Sequence, residues 1–568
     1  MSARGLYLHW EGKKQYRQRV PTPRLLEPVR KLSVGKDTAN MIVEGDNLQV
    51  LASLKSRYAG EVDVIYIDPP YNLGTEDFRY SDKRFQDPDA DDSDAVYVTN
   101  EDGGRHTKWL NFIAPRLYML WEMLNDSRGV LFVSINDVEL CRLGLLLNEI
   151  FGEENHVGTL IWNGSTDNNP TQIAMEHEYI LCYAKSKKSL PSAWIGRQSE
   201  TKQRMLDEYE KIAKSSKTLQ EIDKKWRKFI RDNKAELNPL THYVLVDQEG
   251  PFTGMRNVHN PGRDGYFYPV VHPKTKKVCK PPARGYRFPQ ETMKKLIAEK
   301  KIIFGKDETQ IVQIKTYLRD YVGALKSVID IDSRTGANTL AKLFGDRNVF
   351  RNPKPVDLIE ILLDFSTSKD SLILDAFAGS GTTAHAVLSL NKKDKGRRRF
   401  ILVEEGRGED KFCRTLTAER VKRAIKADGY EDGFTFFTTG RKLDRQAIVG
   451  LERDALANLI CQADETGRGR GITRSPGNKY VIGRNHRSEG ICLVWNGDKD
   501  SEVTPELLRA AAEEVDKLKL KRPFRIYGTF CRVADTKSWK FCQIPDDILA
   551  QMHIEEEIAE EERLSGTN

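Results

Sequence analysis

Two short stretches of the chain combine residue types that can do chemistry. The first is Asp68-Pro69-Pro70-Tyr71, which follows the apolar run 62–67. Proline has a fixed φ and no N–H donor, so the carbonyls here keep free lone pairs in a rigid frame. A carboxylate and a neighbouring carbonyl can together accept both hydrogens of an exocyclic amino group, such as adenine N6, while a tyrosine stacks on the ring. A plain proline turn after a strand is the alternative interpretation.

The second stretch is a glycine-rich turn between a predicted strand and a predicted helix. Such a turn lets the backbone pass close to a ligand while helix N–H groups face it. Glu404 lies 25 residues after Gly379, at the end of the next predicted strand, where an acid can take both hydroxyls of an adenosine ribose. The turn also fits the nicotinamide dinucleotide pattern, and some such turns bind nothing, so its ligand stays open at this point. Its candidate binding residues are Asp375, Phe377, Ala378, Gly379, Ser380, Gly381, Thr382 and Thr383.

Alternating apolar runs and helical patterns surround both stretches. The runs 41–44 and 62–67 flank a segment with helical spacing at 48–54, which predicts a βαβ unit of a mostly parallel sheet. The same reasoning predicts an α/β fold built from further strands at 129–135, 178–184, 371–374 and 399–403, and helices at 107–125, 140–151, 357–365 and 384–390.

Together the two stretches resemble the amino-group DNA methyltransferases that use S-adenosylmethionine, whose motifs are D-P-P-Y and F-x-G-x-G. In an unpermuted domain of that family the glycine turn comes first. Here it comes about 300 residues after the D-P-P-Y, which is similar to the permuted β class. The resemblance implies one circularly permuted Rossmann-like sheet, whose third and fourth strands are 41–44 and 62–67 and whose first two lie near 372 and 401.

The resemblance also implies roles for single residues. Asp46 would face the adenine of S-adenosylmethionine, although a helix N-cap before 48–54 is an equally good interpretation. Lys354, in a P-K-P segment similar to one that packs beside the cofactor turn in this family, is assigned to cofactor binding. Segments 176–181, 282–288 and 301–304 are similar to the modification subunits of type III restriction systems. The implied catalytic residues are Asp68, Pro69, Pro70 and Tyr71.

The predicted organisation has a basic N-terminal arm, a split methyltransferase core, an inserted α+β target-recognition domain and a small C-terminal α/β domain. Between 185 and 236 the chain has fifteen Lys or Arg against eight Asp or Glu. Side chains near 266–268 and 284–287 are candidates for contacts to base edges, whereas the helical segment 201–233 is better interpreted as a solvated face. The predicted ranges are 1–40, 41–190, 191–340, 341–440 and 441–568.

Composition excludes several classes of protein. The 568 residues are 39% hydrophobic and 30% charged, without the roughly 18-residue apolar run of a membrane-spanning helix. This excludes a membrane protein, a collagen-like fibre and a wholly disordered chain. Eight scattered cysteines without a C-x-x-C pair argue against disulfides and structural zinc, and favour a cytoplasmic protein. The net charge of +7 permits a polyanionic partner without demonstrating one.

The function predicted is site-specific methylation of adenine N6 in double-stranded DNA, with S-adenosylmethionine as cofactor and a flipped-out target base. The resemblance implies a restriction-modification or related defence system, a homodimer, and contact with a restriction (helicase-nuclease) subunit. Two alternatives stay open. N4-cytosine methylation uses the same scaffold, but its tetrapeptide usually begins with Ser where this chain has Asp68. The other alternative is a non-catalytic DNA-binding subunit.

Overall fold

The computed structural model of the chain contains two compact units, one formed by Met1–Ser192 with Lys326–Asn568 and one by Ala193–Leu325. The residues that the structure describes are 8–13, 20–35, 38–75, 77–164, 172–192, 194, 200–234, 237, 240–259, 264–321, 325–405, 411–462, 473–475, 477–485, 487–496 and 501–551.

A ten-stranded sheet organises the first unit. Its strands are β1 (Arg24–Pro28), β2 (Met41–Glu44), β3 (Val64–Ile67), β4 (Val130–Ile135), β5 (His156–Asn163), β6 (His177–Ala184), β7 (Val328–Asp330), β8 (Leu372–Asp375), β9 (Arg399–Glu404) and β10 (Thr435–Lys442). They lie in the order β1-β10-β2-β9-β8-β3-β4-β6-β5-β7. All neighbouring strands are parallel except at β1, which is antiparallel to β10, and at β6, which is antiparallel to β4 and β5. The α/β class and the permuted Rossmann-like sheet are therefore confirmed.

Helices pack on this sheet and bury its central strands. Every residue of β3, β4 and β8 is buried, as expected of parallel strands covered on both faces, and their sequences are correspondingly continuous apolar runs. The larger helices are α1 (Asn47–Tyr58), α2 (Arg105–Met123), α3 (Leu140–Phe151), α4 (Val356–Ser366), α5 (Thr382–Asp394) and α6 (Glu419–Asp428), with shorter ones at Asp82–Gln86 and Arg334–Phe344 and a π-helical turn at Cys413–Ala418.

Strands from the early and the late parts of the chain are interleaved in the centre of the sheet. Strand β8 pairs in parallel with both β9 and β3, so that Leu374 lies between Ile401 and Ile65. On the other side of β9, Glu404 is in register with Glu44 of β2. The carboxyl ends of β2, β9, β8 and β3 therefore lie side by side, and the permuted order still brings the D-P-P-Y and the glycine turn to one edge.

Two short strands differ from the sequence-based boundaries. Arg24–Pro28, expected in a loose arm, forms the edge strand β1 and buries Leu25 and Leu26. Val328–Asp330, expected in the insertion, forms β7, and the Ile161 amide donates to the Ser327 carbonyl at 2.7 Å. Each of these strands hydrogen-bonds to the open edge of its neighbour in the sheet. Runs of three to five residues are too short for hydrophobic periodicity to predict them as strands. The second unit accordingly ends at Leu325 rather than at 340.

The second unit has an α+β structure with its own cores around Trp226 and Tyr286. The predicted single helix 201–233 is two helices, because the Thr218 hydroxyl caps the second one by accepting from the Glu221 amide at 3.3 Å. The helices are Glu200–Lys214, Leu219–Asp232 and Gln290–Ala298, and the four-stranded antiparallel sheet contains Ile302–Ile303, Gln313–Tyr317, Gly250–Asn257 and Leu245–Asp247.

The C-terminal part of the first unit has a separate five-stranded sheet. As predicted, Thr504 caps a helix that has Pro505 in its first turn. Residues 552–568 of the predicted C-terminal domain lie outside the described residues. In the described ranges no helix combines the length and apolarity needed to cross a membrane. The sheet contains Thr473–Arg474, Val481–Arg484, Glu489–Leu493, Lys521–Gly528 and Trp539–Gln543, and the helices are Arg445–Val449, Arg453–Gln462, Pro505–Lys517 and Asp546–Gln551.

Candidate active site

A cavity of about 1040 Å³ opens at the carboxyl edge of the central strands. It is lined by both stretches that sequence analysis singled out, although about 300 residues separate them in the chain. Gly381 is the one predicted site residue outside the lining. The predicted residues that line the cavity are Asp46, Asp68, Pro69, Pro70, Tyr71, Lys354, Asp375, Phe377, Ala378, Gly379, Ser380, Thr382, Thr383 and Glu404.

The D-P-P-Y segment leaves β3 in a conformation that α2 holds in place. The Trp109 indole donates to the Pro70 carbonyl at 2.7 Å, while no described residue donates to the Pro69 carbonyl. Asn72 follows with a φ of 60°, in the left-handed region, and its buried amide donates to Glu139 at 2.6 Å. The Pro69 carbonyl thus remains an acceptor beside Asp68 in a fixed frame.

Lys354 lies at the centre of a network of charged side chains. Its ammonium nitrogen is 2.9 and 2.8 Å from the two carboxylate oxygens of Asp68 and 3.2 Å from Glu178. It is also 3.0 Å from the Tyr71 hydroxyl, which lies 2.8 Å from both Asp68 and Glu178. Burial opposes the charge of Lys354, but Asp68 and Glu178 outweigh it and raise the pKa of Lys354. The lysine therefore stays charged and balances the carboxylates.

This network leaves Asp68 with capacity for one more donor. A carboxylate offers about four lone-pair sites. Lys354 takes one site on each oxygen, and the single proton of the Tyr71 hydroxyl, which lies between Oδ1 and Glu178, takes at most one more on Oδ1. An Oδ2 site and the Pro69 carbonyl are left in either case, which is the number of acceptors that one amino group needs. Burial and the neighbouring carboxylate of Asp68 raise the pKa of Tyr71 well above its usual value, so this phenol stays protonated.

The glycine turn between β8 and α5 is tied to the next strand. Gly379 and Gly381 have φ values of 49° and 80°, and a Cβ at Gly381 would lie 3.1 Å from the Thr417 carbonyl oxygen. Side chains are strained in this region of φ, which explains the glycines. The Gly379 amide donates to the Glu404 carboxylate at 2.5 Å. The turn therefore brings bare backbone and the end of β9 to the cavity wall.

A family model described as DNA methylase matches residues 62–414 of the chain, which include the D-P-P-Y, the glycine turn and the strands β3, β6, β8 and β9, which contribute residues to the cavity lining. The chain belongs to the DNA methylase family. It is 41% identical over 420 residues to the type III restriction-modification enzyme EcoP15I Mod subunit of Escherichia coli, covering 71% of this chain and 65% of that one.

Two other relatives support the same family assignment. The chain is 34% identical over 384 residues to the type III StyLTI Mod subunit of Salmonella typhimurium, covering 65% of this chain and 53% of the relative. It is 30% identical over 395 residues to the type II methyltransferase M.KpnI of Klebsiella pneumoniae, covering 67% and 84%. The predicted resemblance to type III modification subunits is confirmed. The chain spans about half to two thirds of the length of the type III subunits named here.

The structure gives defined contacts to two of the predicted site residues, Asp46 and Lys354. Asp46 is a helix N-cap, since its Oδ1 accepts from the Gln49 amide at 3.0 Å. Its Oδ2 pairs with Arg84 and Arg116, each at 3.1 Å. Lys354, assigned from sequence to the cofactor, contacts the glycine turn through its carbonyl, which accepts from Thr382 at 3.2 Å. Its amine instead lies on Asp68.

Sequence analysis predicted no role in the site for Glu178 and placed it only in a strand of the sheet. It lies at the start of β6, and β6 is antiparallel to β4. The first residues of an antiparallel strand lie at the edge where its parallel neighbours end. That rule, applied to an acid at the start of a predicted strand, would have placed Glu178 near Asp68.

Asp375 gives the chain a pH-dependent stability. It is buried beneath the glycine turn and accepts from the Phe377 amide and the Thr383 hydroxyl, and burial raises its pKa to about 7. The folded state therefore holds a proton that the unfolded state loses near pH 4, and stability falls as pH rises from about 4 to 7. We expect Asp375→Asn to gain stability relative to wild type across this window, by at most about 1.4 kcal/mol per pH unit. Urea unfolding at pH 5, 6 and 7 measures it, and a pH-independent offset would contradict it.

Proposed function

We propose that the chain is a DNA methyltransferase that uses S-adenosylmethionine to methylate adenine N6 in double-stranded DNA, as the modification component of a restriction-modification system. The observation that carries this proposal is the single cavity shared by the D-P-P-Y and the glycine turn. A cofactor site and an amino-group acceptor site are adjacent there, as transfer between two bound molecules requires.

The residues of the turn fit the proposed cofactor. Left-handed glycines expose backbone to the cavity, α5 begins there with its N–H groups, and Glu404 stands at the end of the adjacent strand. Backbone N–H groups at a helix start suit a carboxylate, and an acid at the next strand end suits ribose hydroxyls. When bound, S-adenosylmethionine supplies an electrophilic methyl group on sulfur.

The chain's own residues hold and polarise the target amino group. The base has to leave the duplex to reach this cavity, at a cost of a few kcal/mol. Asp68 Oδ2 and the Pro69 carbonyl then accept the two N6 hydrogens. Two acceptors favour a more tetrahedral nitrogen, whose lone pair is less delocalised into the ring and more nucleophilic. Lys354 compensates the charge of Asp68, so the acceptor is preorganised before the base arrives.

The test is expression of the full chain in a methylation-free host. Single-molecule sequencing of the host DNA reports the sequence context, and mass spectrometry of its nucleosides identifies the modified base. We expect N6-methyladenine at one short motif, and none in a host that expresses the Asp68→Asn variant. N4-methylcytosine instead would contradict the adenine assignment, and unmodified DNA would favour a non-catalytic DNA-binding subunit.

Glu404 provides a separate test of the cofactor site. We expect Glu404→Gln to weaken binding of S-adenosylmethionine about tenfold or more, because hydrogen bonds to a charged group contribute about 1.5–3 kcal/mol. Isothermal titration calorimetry measures it. The matched control is Glu44→Gln, at the same level of the adjacent strand, whose partner is Arg414. Unchanged affinity for Glu404→Gln would contradict the ribose contact.

We propose that the second unit supplies DNA contacts. Of the aromatic residues predicted to reach base edges, Tyr266 and Phe267 are 51% and 62% exposed, whereas Tyr286 is buried and stacks on Tyr268 at 4.6 Å. Arg284 and Arg287 are exposed. An exposed lysine-rich turn lies nearby in sequence, between the bridged residues Val271 and Val278. Exposed aromatic and basic side chains together are typical of a nucleic-acid surface.

The double variant Lys274→Ala/Lys276→Ala tests this surface. We expect weaker binding to all duplexes and a salt dependence whose slope falls by about 1.8, since each lost phosphate contact removes about 0.9. Fluorescence anisotropy at several salt concentrations measures both. The control variant is Lys211→Ala/Lys214→Ala, on the first helix of this unit, where the lysines pair with Glu208 and Glu210. An equal fall in slope for the control would contradict the assignment.

Two partners are part of the proposal. The Mod subunits named above belong to restriction-modification enzymes, so we propose a restriction (helicase-nuclease) subunit as a partner, together with a homodimer of this chain. Analytical ultracentrifugation of the chain alone, and then of the chain with such a subunit, tests both assemblies.

A further inference from the structure

Arg420 of α6 is a buried cation without a carboxylate partner among the described residues. Its Nη1 donates to the hydroxyls of Ser380 at 2.6 Å and Thr382 at 2.7 Å, while its Nε and Nη2 meet no acceptor. Arg398, equally buried, is bidentate to Asp394 at 3.0 and 2.8 Å. A buried unpaired charge is costly. Arg420, whose buried charge is unfavourable for folding, lies directly behind the glycine turn.

The Arg420 guanidinium fixes the hydrogen-bond directions of the Ser380 and Thr382 hydroxyls. Arginine only donates hydrogen bonds, so the oxygens of Ser380 and Thr382 must both accept from it. The Thr382 hydroxyl then donates to the Lys354 carbonyl at 3.2 Å. The remaining hydroxyl proton is that of Ser380, whose protein acceptor, Thr382 Oγ1, is 3.3 Å away, which is long for a hydrogen bond between two hydroxyls. Ser380 lines the cavity, so its proton is available to a ligand there.

Two sources of positive charge meet at Ser380. Helix α5 begins at Thr382, and its N-cap Gly381 provides no side-chain acceptor, so the cap residue does not offset the partial positive charge of the helix start; the Glu404 carboxylate accepts from Gly379 instead. Burial lowers the pKa of Arg420 to about 9, which leaves the guanidinium charged at neutral pH. A helix terminus and a full positive charge thus reinforce each other at Ser380, and a ligand anion would balance both.

We propose that Arg420 is a positioning residue for the carboxylate of the cofactor's amino-acid end. It fixes the Ser380 hydroxyl as a donor toward that carboxylate and supplies the opposing charge from behind the turn. This inference rests on the proposed function, because it takes S-adenosylmethionine as the ligand of the turn. A bound carboxylate explains why a guanidinium without an ionic partner is buried here, which packing alone does not explain.

The test compares two ligands that differ only in the carboxylate. Calorimetry of the full chain with S-adenosylmethionine and with decarboxylated S-adenosylmethionine gives the affinity ratio for wild type and for Arg420→Met. We expect Arg420→Met to lose about tenfold or more in affinity for the first ligand and less than about twofold for the second. The melting temperature of the ligand-free Arg420→Met variant should be no lower than that of the wild type, since an unpaired buried charge has been removed.

Two more variants complete the experiment. Ser380→Ala keeps Arg420 and should reproduce the carboxylate-selective loss, which tests the inference even where Arg420→Met does not fold. Arg398→Met leaves Asp394 unpaired and should lower the melting temperature without changing the affinity ratio. Equal losses for both ligands, or no loss, would overturn the role of Arg420. A wild-type chain that binds neither ligand would overturn the proposed function together with it.

Discussion

Asp68→Asn should reduce methyl transfer about 100- to 1000-fold and leave the affinity for S-adenosylmethionine within about threefold of wild type. The amide puts a donor where the proposed mechanism needs an acceptor for the target amino group, and it loses the ion pair with Lys354. Removing one preorganised partner of a reacting group typically costs a factor of about 10² to 10³. Single-turnover transfer of a tritiated methyl group to DNA measures the rate, and calorimetry measures the affinity.

The matched control lies at the other end of the same strand. Asp63, just before β3, accepts from the Leu372 amide at 2.9 Å and pairs with Arg128. Asp63→Asn therefore perturbs β3 without touching the cavity, and should lower stability while the folded fraction keeps its rate. If Asp68→Asn lost cofactor affinity and rate in parallel, its effect would be structural and the role of Asp68 as an acceptor would be wrong.

Lys354→Met should lower kcat about 100-fold with cofactor affinity changed less than about threefold. Without the ammonium, the partly exposed carboxylates of Asp68 and Glu178 face each other across the Tyr71 hydroxyl. Two like charges at close range repel, so Asp68 loses the fixed position in which the proposed mechanism uses it to accept the amino group.

This outcome separates two roles for the lysine. A large loss of cofactor affinity would support the family-based assignment of Lys354 to the cofactor. A useful comparison is Lys185→Met, because Lys185 is also partly buried, with its ammonium donating to the Trp121 carbonyl at 2.7 Å. Its loss should affect stability alone.

The fold and the site's two halves were predictable because they depend on local patterns. Continuous apolar runs give buried parallel strands, and a G-x-G turn between a strand and a helix has few conformations available. The permuted order follows from which motif comes first. Once β2, β3, β8 and β9 are assigned, the parallel sheet brings Asp68 and Gly379 to the same edge.

The remaining features depend on contacts between distant residues. Nothing in the sequence around Lys354 shows that its amine reaches Asp68, 286 positions earlier. That no described carboxylate pairs with Arg420 is likewise a property of packing, because acids are frequent in the sequence around it. The strands β1 and β7 are too short for periodicity, and their partners β10 and β5 lie over a hundred residues away.

The permuted strand order also affects how the protein is made. Strand β2 is flanked by β9 and β10, so its backbone groups have no sheet partner until the ribosome has added residues up to about 404, the end of β9. At about 5–20 residues per second, that interval lasts roughly 20–70 s. A nascent chain with open strand edges is prone to pair with other chains. Chaperone protection during synthesis, rather than the stability of the finished fold, would then set the yield of active protein.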